Sequence, residues 1–104
     1  MPAATVYVTA ANMEEARSIA RTMVNEKLAA CANILGEISS VYVWQGDVQE
    51  DREMAIILKT RQDLVDALTS RIKEIHSYDC PCVTAHPVTG GNVEFLEWIA
   101  SETA

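Results

Sequence analysis

An α+β fold of split βαβ, ferredoxin-like topology is predicted by three observations. Strand-like runs alternate with helix-like segments in the order β-α-β-β-α-β, followed by one more helical segment. The second and third strand-like runs are separated only by the turn signal Gln45-Gly46-Asp47, so they form a long hairpin. The two longer helical segments each carry one apolar face, the pattern of helices packed on one face of an antiparallel sheet.

The first strand is Thr5-Val6-Tyr7-Val8-Thr9, rich in β-branched and aromatic residues. Asn12 caps the first helix, with Glu15 three residues on. Ala16, Ile19, Ala20, Met23 and Val24 make its apolar face, and Lys27 lies near its end, where its charge suits the dipole. From Ala30 to Gln45 the chain reads as extended, with Ile38, Tyr42 and Trp44 on one parity and Val41 and Val43 on the other. Met54-Ala55-Ile56-Ile57-Leu58 is a continuous apolar run, which suits a strand buried on both faces. Thr60 is placed to cap the second helix, whose buried face is Leu64, Leu68, Ile72 and Ile75. Pro81 ends that region, and Cys82 to His86 form a short strand that Pro87 confines to an edge or an end. Asn92 caps a last helix holding Phe95, Leu96, Trp98 and Ile99.

The hairpin is long for its domain. Ala30 to Gln45, fully extended, spans about 50 Å at roughly 3.3 Å per residue. A compact chain of this size is only about 35 Å across. An overhang carrying Val41, Tyr42, Val43 and Trp44 exposes apolar surface and strand edges, which identical neighbours in closed symmetry would cover. A bulge at Gly36 would shorten the span.

The 104 residues, 49% hydrophobic, suit one domain over residues 1–104. The net charge of −7 argues against nucleic acid as a partner. No apolar run approaches the length of a membrane span, and the first residues carry no signal-peptide pattern. Cys31, Cys80 and Cys82 are an odd set that reads as reduced cytoplasmic thiols, with Cys31 in the core.

Several segments, in order and over nearly the whole chain, resemble the CutA divalent-ion (copper) tolerance family. They are Lys27 to Ile34, Ser40 to Val48, Asp51 with Glu53, Lys59-Thr60, His76-Ser77-Tyr78-Asp79-Cys80-Pro81, and Gly91-Asn92 followed by Phe95-Leu96 and Trp98-Ile99. The resemblance implies a ferredoxin-like homotrimer whose long hairpins build intersubunit contacts. It implies a role in tolerance of and response to divalent cations, copper especially, and no catalytic residues. A copper site proposed for the family uses a cysteine in the first strand and two adjacent histidines. Here Val8 and Ile75 stand at two of those positions and only His76 remains.

Departures from the family pattern place soft donors near one another. His76, Cys80 and Cys82 are the candidate metal ligands, for copper or another divalent cation, and Cu(I) suits the thiols best. Cys80 and Cys82 share a face, roughly 7 Å apart, whereas His86 lies about 13 Å beyond Cys82, too far for the same ion. As small hydrophobes, both cysteines also suit burial. No cofactor is required by the residues themselves. The alternative function is an enzyme or small-molecule binder using an intersubunit cleft around Trp44, Glu53, Lys59 and Tyr78. Asp51 and Glu53 share a strand face, which suits a solvated rim or an ion pair.

Overall fold

A computed structural model describes residues 2–104. The chain runs β1 (Ala3–Ala10), α1 (Met13–Asn25), β2 (Cys31–Trp44), β3 (Asp47–Arg61), a 3-10 turn (Gln62–Leu64), α2 (Val65–Ile75), β4 (Val83–Pro87) and α3 (Val93–Ser101). The strands form one antiparallel sheet in the order β2-β3-β1-β4. The predicted α+β class and ferredoxin-like element order are those observed.

Alternation along the strands sorts the two faces of the sheet. Val6, Val8 and Ala10 of β1 and Ile56 and Leu58 of β3 point to one face. Ala16, Ile19 and Met23 of α1 and Leu68 and Ile72 of α2 close over them, and all of these are fully buried. Asn12 starts α1 as its sequence suggests. Its side chain accepts the Glu15 amide at 2.9 Å, and the Glu15 carboxylate accepts the Ala11 amide at 2.9 Å. Val24 falls off the buried stripe and is 38% exposed.

Lys27 lies beyond the last turn of α1, which has no basic residue, and sits in the left-handed region at φ 60°. Thr60 does not cap α2. It is buried within β3, and its hydroxyl donates to the Leu28 carbonyl at 2.6 Å. The chain enters α2 through the 3-10 turn instead, with no side-chain cap.

α3 departs from the one-face expectation. Leu58 and Thr60 face α1 and α2, so Lys59 between them points the other way, and its ammonium lies 5.8 Å from the centre of the Phe95 ring. Ile99 packs with Ala3 and Ala30 in a second, smaller cluster. α3 therefore covers one end of the opposite face. That face of β3 is only partly sheltered: Ala55 is buried and Ile57 half-buried.

Beyond Met54, β3 pairs with β2 alone, from Glu53↔Ile38 to Asp47↔Trp44. The result is a two-stranded ribbon that overhangs the sheet. The molecule measures 44 × 25 × 22 Å. The ribbon closes in a two-residue turn, Gln45 at φ 51° and Gly46 at φ 85°, both in the left-handed region that such hairpins require. The register shifts between Ile34 and Gly36, leaving Leu35 as the extra residue, with Gly36 at φ 114°. Ile34 pairs with Ile56 and faces the core, whereas Ile38 pairs with Glu53 and faces away. The bulge turns the even residues of β2 from one face to the other.

Candidate functional site

The segment from His76 to Cys82 lies by the root of the ribbon, in contact with Thr9 near the end of β1, Glu15 of α1 and Glu53 of β3. His76 leaves α2 in an extended conformation, its side chain wholly buried. Its Nε2 donates to the Thr9 carbonyl at 2.8 Å, and its Nδ1 accepts the Tyr78 amide at 3.0 Å. A carbonyl only accepts and an amide N–H only donates, which sets the neutral Nε2–H tautomer. The Ser77 amide donates to Glu15 at 2.8 Å. Burial pushes the Glu15 carboxyl up, but hydrogen bonds from Ala11 and Ser77 outweigh it and hold the group below the usual range.

The Tyr78 ring lies 4.7 Å from that of His76, and its hydroxyl donates to Glu53 at 2.9 Å. Burial, then the Glu53 carboxylate, raises the phenol well above its ordinary value. Tyr42 on the ribbon donates to Asp51. Asp51 and Glu53 do share a face, and each holds one tyrosine. Cys82 is half-buried, and its thiol is pushed up by burial and then by the Glu53 charge, with a hydrogen bond to Thr9 opposing.

His76, Cys80 and Cys82 do not assemble as a three-donor site. Among the described residues no three His, Cys, Asp or Glu side chains are arranged to hold an ion. The reason is local: both nitrogens of His76 are taken by the backbone, and Cys80 is exposed while Cys82 turns inward. His86 stands apart on β4, opposite Thr5. Cys31 is half-buried rather than core.

Of the cleft residues, Glu53 and Tyr78 meet. Trp44 is 48% exposed at the far end of the ribbon. Lys59 sits at the other end of the sheet, its ammonium donating to Asn33 Oδ1 at 2.6 Å. Asn33 and the second role of Glu15 were not singled out from sequence. Their partners lie 26 and 62 positions away, and only the register and the loop path bring them together.

A family model described as CutA1 divalent ion tolerance protein matches residues 4–102. The chain belongs to the CutA divalent-ion tolerance family. It is 48% identical over 103 residues to the chloroplastic CutA 1 protein of Oryza sativa, covering 99% of this chain and 58% of that one. The chain thus spans little more than half the length of the plant CutA relatives it matches, 57% for that of Arabidopsis thaliana. It is 41% identical over 98 residues to the divalent-cation tolerance protein CutA of Thermus thermophilus, covering 94% and 95% of the two chains. The crystal structure of CutA1 from Oryza sativa superposes with a TM-score of 0.97 at 48% identity, covering 100% of this chain and 95% of that one. The CutA of Archaeoglobus fulgidus, described as a periplasmic divalent cation tolerance protein, gives 0.93 at 39% identity, with 96% and 97% covered. No helix among the described residues is long and apolar enough to cross a membrane.

Proposed function

We propose that residues 1–104 work as one unit of a cytoplasmic homotrimer that serves divalent-cation tolerance, copper foremost, without catalysing a reaction. One observation carries the trimer: the ribbon exposes Val41, Val43, Trp44 and Val48 at 66%, 68%, 48% and 74%. A two-stranded ribbon with this apolar surface needs cover, and sister copies supply it. Sedimentation at micromolar concentration is expected to give three times the chain mass. A stable single chain would overturn the reading.

For the ion itself, the proposed donors are the exposed thiol of Cys80 and the half-buried thiol of Cys82, with His76 kept by its backbone bonds. Titration with Cu(I) is expected to show uptake that the C80S/C82S variant loses. Unchanged uptake in that variant would remove these residues from the role. The cytoplasmic assignment is supported by the three unpaired cysteines. A second reading, a small-molecule cleft between copies, is favoured by the Tyr78–Glu53 pair at the ribbon root.

A further inference from the structure

We propose that the recess between α3 and the sheet binds a small amphipathic carboxylate, with Lys59 as its counter-charge. This inference is independent of the tolerance reading. The recess has a volume of about 320 Å³, at the lower end of the range for small-ligand pockets. Thr5 and Lys59 line it from the sheet, and Val88, Phe95, Leu96 and Ile99 form apolar walls. Gly90 and Gly91 make the rim. A Cβ built on either meets nothing within 4 Å, so the rim is open.

Among the described residues Lys59 is the one cation in this lining. Its neighbours are Asn33 Oδ1 at 2.6 Å and the Phe95 ring at 5.8 Å, and neither carries a formal negative charge. Among the described residues no carboxylate pairs with it, although the chain holds 15 acidic against 8 basic side chains. An ammonium has three N–H donors, and Asn33 takes one. The Asn33 bond holds the head group in place without neutralising it.

The overall charge of −7 repels a bare anion. Affinity must then come partly from apolar contact, which the walls offer. A carboxylate with a compact apolar body satisfies both conditions. A neutral apolar molecule leaves Lys59 unanswered, and a phosphate leaves the walls unanswered.

The test uses the full, assembled chain labelled with nitrogen-15 and titrated with 3-phenylpropanoate, with neutral 3-phenylpropanamide as the control. Amide shifts are expected to concentrate at Gly90, Gly91 and Asn92. The carboxylate should bind about tenfold tighter than the amide, as a hydrogen bond to a charged group allows. Lys59→Met, which keeps most of the stem, should erase that difference. Equal affinities in the unmodified protein, or shifts scattered away from the rim, would overturn the site. If the variant fails to fold, the ratio of the two probes on the unmodified chain still decides.

Discussion

His76 gives both ring nitrogens to the backbone of its own chain, and that choice sets the chemistry of the whole 76–82 segment. It acts as a clasp between α2 and β1, with Glu15 as a second clasp through Ser77. The folded Glu15 carboxyl titrates below its ordinary value of about 4.3. Its stabilising effect is therefore full above the unfolded value and is lost as pH falls through the depressed one. Glu15→Gln should cost roughly 1–2 kcal/mol at neutral pH and flatten the loss of stability below about pH 4, read by urea unfolding across pH. The two neighbouring thiols should differ as well. Cys80 is exposed, whereas Cys82 is half-buried with its thiol pushed up. Timed iodoacetamide labelling followed by peptide mass spectrometry should show Cys80 modified first. Faster labelling of Cys82 would contradict this placement.

At the scale of elements, the ribbon depends on two backbone positions that few side chains tolerate. Gly46 sits at φ 85° in the turn and Gly36 at φ 114° in the bulge. Neither is crowded, since a Cβ at either meets nothing within 4 Å, so the cost of replacement is conformational alone. Gly46→Ala should destabilise by about 1 kcal/mol, the usual penalty for a left-handed non-glycine residue. Gln45 already bears such a penalty at φ 51°. Gln45→Asn should recover roughly 0.5 kcal/mol, because Asn-Gly is the favoured pair in this turn. A thermal-melt series of the two variants separates these opposite signs.

The whole molecule is long in one direction because one hairpin outgrows the sheet that anchors it. Val43 and Val48 are directly paired across its end, and both are largely exposed. Val43→Lys should weaken self-association by on the order of tenfold, about 1.4 kcal/mol, with the chain's fold retained. Sedimentation across a concentration series with circular dichroism on the same samples reads both. Unaltered assembly would mean that the cover lies elsewhere on the chain.

Element order, both asparagine caps, the overhanging hairpin and most of the core stripes of α1 and α2 were legible from residues alone; Val24 falls off the first stripe, and Leu64 lies in the 3-10 turn, where Val65 and not Leu64 packs against the core. Each depends on neighbours within a few positions, where periodicity and turn chemistry act directly. The candidate site was legible only as a set of donor types. Whether His76 faces an ion or a carbonyl depends on Thr9, 67 positions away, and whether Lys59 meets a carboxylate depends on Asn33 and Phe95. The face chosen by α3 and the parity reversal at Gly36 belong to the same class. Sequence by itself determined which elements form and how far the ribbon reaches, because those follow from local backbone preference and spacing. Tertiary structure alone decided which polar groups are already satisfied, because a buried nitrogen takes whatever partner the packed chain brings within reach.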